Sequence, residues 1–529
     1  MHDYVVVGAG SAGCVLAARL TEHPDVTVLL LEAGPRDRKL EIRVPAAFSK
    51  LFGTALDWGY ATVPQEGLGG RELAFPRGRV LGGCSSTNAM MVLRGHPLDQ
   101  RAWTAPGWSW ADIEPYYRRS ADGPFPLAAL RDRHPLTGDF LAAAAAAGIP
   151  PSADLNGEET GGAGPVPVSQ RRGRRWSVAD GFLRPALRRP NLTLVTGALA
   201  TRVRLEDGRA TGVSYRLGDR EEEAPAAREV LLAGGAINSP QLLLLSGIGP
   251  REELERHGIP VAHELPGVGR NLRDHLANGI LALTKTGVET LYSAESLQNL
   301  GRFLLRRRGP LTSNVAEAAA FVRTDAGLEA PDLELIFAPV LYEEGGAVPP
   351  SAHGVTVATV LLQPRSSGKV TLRSADPAEA PLIDPRYLTD PGGDDARVLL
   401  AGLRLARRVL AANPLARSIE REYLPGEDAT SDAELLEHLR EQSQTLYHPV
   451  GTCRLGAADD AGAVVDGELR VRGLRDLRVV DASAIPALPR GHTNWPTVML
   501  AERAADLIRG AGAAGAISSS RSRTPIRPA

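Results

Sequence analysis

Tyr4-Val-Val-Val-Gly-Ala-Gly-Ser-Ala-Gly13, at the head of the chain, decides the fold. Residues 4–7 are a short apolar run of the kind that makes a buried parallel strand. Gly8, Gly10 and Gly13 follow as G-x-G-x-x-G. Gly8 permits a tight strand-to-helix turn, Gly10 lets backbone approach a pyrophosphate, and Gly13 lets helix and strand pack closely. The phosphates would rest on the helix N-terminus, with its free N–H groups and positive dipole end. Residues 15–20 continue as a helix, and 26–31 read as a second buried strand. Glu32 ends that strand, 19 residues after Gly13. A carboxylate there accepts from a ribose diol, which suits NAD or the adenosine half of FAD and repels the 2′-phosphate of NADP. The competing reading is a βαβ unit with a glycine-rich turn and no nucleotide.

Outward from this run, the 529 residues are too many for one core and enough for two interleaved domains. Hydrophobic content is 43% and charged content 23%, as in ordinary globular proteins. A net charge of −2 argues against nucleic acid or anionic membrane as a main partner. The three cysteines, Cys14, Cys84 and Cys453, form no C-x-x-C, so a reducing compartment and no structural zinc are expected. The first strand begins almost at Met1, which leaves no room for a signal peptide. Residues 140–149 are apolar but too few to span a bilayer. A cytoplasmic location without a membrane span is expected.

Along the chain, 53–83 reads as an extended excursion and 150–173, rich in Gly and Pro, as a linker or lid. Residues 103–117 carry five aromatics and read as packed loop and helix. Alternating residues in 192–196, 201–205 and 210–215 read as an antiparallel meander. Residues 229–233 make another buried strand, followed by a helix over 239–246 with Pro240 in its first turn. Further strands are expected at 333–337, 355–362, 369–372 and 477–481. Helices are expected near 300–308, 394–411, 433–441 and 497–508. The tail 511–529 reads as disordered. Gly247-Ile-Gly249 and Gly267-Val-Gly269 lack the third glycine of a second fingerprint. One dinucleotide is therefore expected, and FAD is attractive because it takes and passes on electrons by itself.

Four further segments carry a family resemblance. They are Pro76-Arg-Gly-Arg-Val-Leu-Gly-Gly-Cys-Ser-Ser-Thr-Asn88, Gly235-Ala-Ile-Asn-Ser-Pro-Gln-Leu-Leu-Leu-Leu-Ser-Gly-Ile-Gly249, Leu265-Pro-Gly-Val-Gly-Arg-Asn-Leu-Arg-Asp-His275 and Tyr447-His-Pro-Val-Gly-Thr-Cys453. Val479-Val-Asp-Ala-Ser483 and Thr493-Asn-Trp-Pro-Thr497 complete the order. Together they resemble the glucose–methanol–choline (GMC) flavin oxidoreductases from about residue 3 to residue 510. The resemblance implies an α/β protein. Its Rossmann-like FAD domain would cover 1–275 and 446–510, with an inserted α+β substrate domain over 276–445 built on an antiparallel sheet.

The resemblance also implies a cofactor-binding set of Gly8, Gly10, Ser11, Gly13, Glu32, Ala33, Val80, Gly82, Gly83, Asn88, Val203, Asp481, Ala482 and Thr497. Gly82 and Gly83 would let backbone pass close to a ring or pyrophosphate, and Asn88 would donate to flavin edge atoms. Val203 would hold the adenine by its backbone. Asp481 would place backbone near the pyrophosphate. Some choline-oxidising members link FAD through a histidine where this chain has Thr87, so non-covalent FAD is expected. Cys84 reads as a small buried filler.

The same resemblance makes His448 the general base for a substrate hydroxyl while hydride passes to flavin N5. Asn494 would orient the substrate oxygen. His492 is a rival participant, Trp495 lines the pocket or packs, and His275 reads as structural or cofactor-proximal. Glu317 and Glu334 both fall in the substrate region, and either would suit the pocket. Arg171, Arg172, Arg174 and Arg175 read as a solvated loop rather than an anion site. No aromatic cluster is evident in the substrate region, so nothing argues for a quaternary-ammonium cage. No metal site is expected. The expected activity is oxidation of a primary or secondary alcohol, with oxygen, a quinone or another carrier as electron acceptor. A lyase that keeps FAD structurally and an NAD-dependent dehydrogenase are the alternatives.

Overall fold

The computed structural model describes residues 1–157, 161–346 and 348–510; the tail expectation for 511–529 lies outside the described residues. Two seven-stranded sheets organise an α/β chain. The first begins as read, with β1 (His2–Val7), α1 (Ser11–Leu20) and β2 (Val28–Glu32). It continues in β3 (Leu192–Thr196), β4 (Ala198–Glu206), β5 (Arg209–Leu217) and β6 (Arg220–Leu232). The strand order is β3-β2-β1-β6-β5-β4, with the short strand Leu477–Val479 also beside β6. Val5, Val6, Val28 and Leu30 are fully buried, as parallel strands covered on both faces require.

Two expectations need correction here. The run at 192–196 is no part of the meander: β3 lies parallel to β2, Leu192 opposite Val28 through Thr196 opposite Glu32. Alternation marks a half-buried strand but carries no information about its neighbour or direction. The meander is β4–β5–β6, antiparallel throughout. After β6, helix α2 runs Gly235–Leu245, so Pro240 stands inside the helix rather than in its first turn. Proline at 240 cannot donate to the Ala236 carbonyl one turn back. The Thr452 hydroxyl donates to that carbonyl instead, at 2.6 Å.

The second sheet holds β7 (Leu276–Thr284), β8 (Ala318–Val322), β9 (Leu333–Ala338), β10 (Gly354–Leu361) and β11 (Ile419–Leu424). Its order is β11-β7-β10-β9-β8, and every pairing is antiparallel. The outer edge beside β8 is Gly162–Pro165, so part of the expected linker is a strand of this sheet. Helix α3 (Asp394–Leu410) covers one face. Leu399, Leu403, Ala406 and Val409 recur at three- and four-residue spacing and are fully buried beneath it. The excursion 53–83 is held by bridges Asp57–Gly78, Ala61–Ala74 and Gln65–Arg71. The chain's final described helix, α4 (Asn494–Arg509), packs on α1. Buried Glu502 of α4 pairs with Arg19 of α1 and with Arg119 of the helix Trp110–Ala121. Among the described residues, no helix is long and apolar enough to cross a membrane.

Candidate active site

A cavity of about 580 Å³ takes in the first glycine loop and the side chains of His448 and His492. At the loop, Gly8 has φ +98°, and a Cβ on Gly13 would stand 1.8 Å from the Gly8 carbonyl oxygen. Both glycines therefore do the work expected of them, but Gly13 does it by packing and not on the cavity wall. A Cβ on Gly83 would stand 2.7 Å from the Gly10 Cα, so the two glycine segments touch backbone to backbone. Gly82 reinforces this contact by donating its N–H to the Ala9 carbonyl at 2.8 Å, away from the wall. Helix α1 starts at Ser11 with no side-chain cap and no acidic residue in its first turn. Its free N–H groups suit an anion at the wall formed by Gly10, Ser11 and Ala12.

Glu32 lies on the same wall, buried, and accepts from the Ala9 N–H and the Gly34 N–H, each at 2.8 Å. Burial raises its pKa to about 7 against the pull of those two donors. Each carboxylate oxygen retains a lone pair for a ribose hydroxyl. Ala33, Gly83, Asn88, Asp481, Ala482 and Thr497 also reach the wall. The Asp481 carboxylate is fully engaged by the Gly235 N–H, the Ser239 hydroxyl, and the Ser483 N–H and hydroxyl. Its side chain ties α2 to the strand at Leu477–Val479, which leaves only its backbone free at the wall.

Two residues of the expected set lie off the wall. Val203 is buried away from the cavity, and its N–H donates to Ser246 Oγ at 2.8 Å. Leu199 and Ala200 of the same strand reach the wall in its place. Val80 packs in a small apolar cluster with Ile42, Leu51 and Leu56, also off the wall. In the opposite sense, Cys84, read as filler, lines the cavity beside Thr87.

Asn88 is oriented by a residue the sequence reading put in solvent. Arg175 is fully buried and donates to the Ile42 carbonyl at 2.9 Å and to Asn88 Oδ1 at 2.8 Å. The Met90 N–H also donates to Asn88 Oδ1, at 3.0 Å. With the oxygen so occupied, the Asn88 amide group is left to donate into the cavity. Arg171 and Arg172 are exposed, as expected of that loop, and Arg174 is partly buried.

Elsewhere on that wall, His448 is set by two residues adjacent in sequence. Asp274 Oδ1 accepts from the His448 N–H at 2.6 Å, and His275 Nδ1 lies 3.0 Å from His448 Nδ1. His275 Nε2 is 3.1 Å from the Leu362 carbonyl, so it carries a hydrogen there. Burial, with His492 nearby, pushes the His275 pKa down to about 3, so the ring is neutral and its Nδ1 accepts. His448 must then donate through Nδ1, which leaves Nε2 as the bare, accepting nitrogen. Burial, aided by His492 and His275, holds His448 well below the ordinary imidazole range. The wall therefore presents a neutral imidazole.

His492 is closer than its rank as rival implied: its ring centroid is 4.6 Å from that of His448. His492 Nε2 lies 3.3 Å from both carboxylate oxygens of Glu334, which is completely buried. Glu317 is not at the site; it accepts from the His134 N–H and from Thr137 and Ser313 hydroxyls at the start of the helix Pro135–Ala146. Asn494 opens α4 on the wall, and its Oδ1 accepts from Ser11 Oγ at 2.6 Å. Trp495 packs instead, donating to Ser120 Oγ and lying against Tyr117 and Phe125. Four rings that looked scattered converge on the wall: Phe48 stacks on Tyr342, and Phe52 meets both Phe48 and Tyr447.

A glycine loop and an uncapped helix start on one part of a cavity wall, with a neutral imidazole on another, are the arrangement a dinucleotide-dependent oxidoreductase needs. Comparison with known proteins narrows the class. A family model described as GMC oxidoreductase matches residues 2–277, and a second of the same description matches residues 364–501. The chain is 41% identical to an alcohol dehydrogenase [acceptor] of Pseudomonas putida, over 96% of each chain. It is 42% identical to mitochondrial choline dehydrogenase of Homo sapiens, over 96% of this chain and 90% of that one. Among solved structures, pyridoxine 4-oxidase from Mesorbium loti superposes with a TM-score of 0.88 at 32% identity, covering 96% of this chain and 99% of that chain. The chain belongs to the GMC oxidoreductase family and is a flavoprotein-type oxidoreductase.

Proposed function

We propose that this chain oxidises a primary or secondary alcohol to an aldehyde or ketone, with His448 as the base. The observation that carries the reading is the hydrogen-bond order Leu362–His275–His448, which leaves an unprotonated Nε2 at the cavity. FAD fits the chain's own groups. The uncapped start of α1 would take the pyrophosphate, Glu32 a ribose, Leu199 and Ala200 the adenine side, and Asn88 and Thr497 the ring. When bound, FAD supplies the acceptor for the hydride of the carbinol carbon. His448 Nε2 takes the hydroxyl proton, and Asn494, steadied by Ser11, holds the oxygen as charge develops. Thr87 on the wall offers no nitrogen for a covalent link, which supports dissociable FAD.

The aromatic wall of Phe48, Phe52, Tyr342 and Tyr447 suits an alcohol whose unreactive end is apolar. Glu343 and Glu344 on the same wall favour a second reading, an alcohol carrying a quaternary ammonium. Anaerobic bleaching of the holoenzyme by a panel holding both types separates the two. In the same assay His448→Ala should slow bleaching by roughly 10²- to 10⁴-fold. Bleaching at the wild-type rate would remove His448 from the reaction. No bleaching by any alcohol would favour the lyase alternative.

A further inference from the structure

We propose that the helix Leu297–Arg306 docks this enzyme on an anionic lipid surface. Half of the helix's apolar stripe is used: Phe303 is fully buried against Val44, Leu311, Ala338 and Val340. The other half faces water, with Leu297 89%, Leu304 46% and Leu305 87% exposed. Leu297, Leu304 and Leu305 are spaced by seven and eight residues, so they share one helix face. Long apolar side chains left so bare on one stripe mark a surface that meets something apolar.

The charge around the stripe says what that is. Arg131, Arg171, Arg172, Arg302, Arg306 and Arg307 form no ion pair among the described residues. They are contiguous with the helix. A Cβ on Gly173 would stand 2.6 Å from the Arg307 carbonyl oxygen and 3.0 Å from Arg131 Cδ, and one on Gly309 would stand 3.1 Å from Arg302 Cδ. The carboxylates beside the helix are already engaged: Asp132 by Arg308 and the Gly309 N–H, and Glu295, just before Leu297, by Lys50. Exposed leucines rimmed by uncompensated arginines fit the boundary between acyl chains and anionic headgroups. A second copy of this chain fits less well, because a two-fold contact would set the arginines against themselves. The net charge of −2 hides this patch, since it averages over the whole surface. Ala338, under Phe303, also lines the active-site cavity, so docking would bring lipid within two layers of the substrate.

The test is sedimentation of the FAD-loaded full chain with vesicles of phosphatidylcholine alone or with roughly a third phosphatidylglycerol. Binding is expected to the anionic vesicles only and to weaken with salt. Leu297→Ser with Leu305→Ser should lower the bound-to-free ratio on the order of tenfold or more. Arg302→Ser with Arg306→Ser should do likewise. Oxidation of a water-soluble alcohol should be unchanged in both variants. A wild-type protein that stays in the supernatant, or binds both vesicle types equally, overturns the proposal. So does a leucine variant whose mass by light scattering halves, which would assign the face to a second copy.

Discussion

His448 owes its state to its neighbours, and that state sets the pH response. Burial and the two adjacent rings favour the neutral imidazole. Only the neutral form accepts a proton, so activity is lost as pH falls through the His448 pKa. That pKa is depressed, so the acid limb of kcat/KM should lie below the ordinary imidazole range; a limb centred at or above it contradicts the geometry. Glu334 gives a sharper version of the same experiment. Its buried carboxylate has His492 as its hydrogen-bond partner and so fixes the ring that lies beside His448. Glu334→Gln frees the His492 ring, whose nearness helps hold the His448 pKa down, and should move the acid limb to higher pH while lowering kcat/KM by roughly tenfold. A purely structural glutamate would leave the limb in place. His448 and Asn494 were legible because each sits in a long motif. The Glu334–His492 pair was not, because its members stand 158 residues apart and no spacing rule joins them. Arg175 failed for a related reason: a basic loop reads as solvated until a cavity wall needs an amide turned.

At the scale of elements, α2 shows how two signature segments depend on each other. Pro240 leaves the Ala236 carbonyl without its helical donor, and Thr452, five residues after Tyr447, fills that role. Thr452→Val keeps the shape and removes the donor, leaving a buried carbonyl bare at a cost of about 1–3 kcal/mol. Thr452→Ser should restore most of this. Denaturant unfolding of the three proteins measures it, and a valine variant as stable as wild type would show that the carbonyl finds another donor. The element-level sequence reading succeeded where burial dictates pattern, as in β1, α1, β2 and α3. It misplaced β3 and the start of α2 because their partners, β2 and the Thr452 segment, lie far off in sequence. The Gly- and Pro-rich stretch at 150–173 concealed an edge strand for a similar reason, since sheet edges tolerate both residue types.

At the scale of the whole molecule, the cavity takes its walls from both sheets. Gly8, Glu32 and Ala233 come with β1, β2 and β6, while Ala277, Ile336 and Ala358 come from β7, β9 and β10. A ligand that fills this space binds the folded arrangement and no part of the unfolded chain. Its removal should therefore loosen more than the glycine loop. With free FAD at a hundredfold over its Kd, the holoprotein should gain about 2.7 kcal/mol over the apoprotein. Spread over so long a chain, that is a shift of only a few degrees in Tm, so the informative measurement is local. Hydrogen exchange of apo and holo forms should show protection gained at the Gly8–Gly13 loop and also at the cavity-facing strands β7, β9 and β10. Protection confined to the loop would mean that the second sheet closes the cavity without bearing on the cofactor.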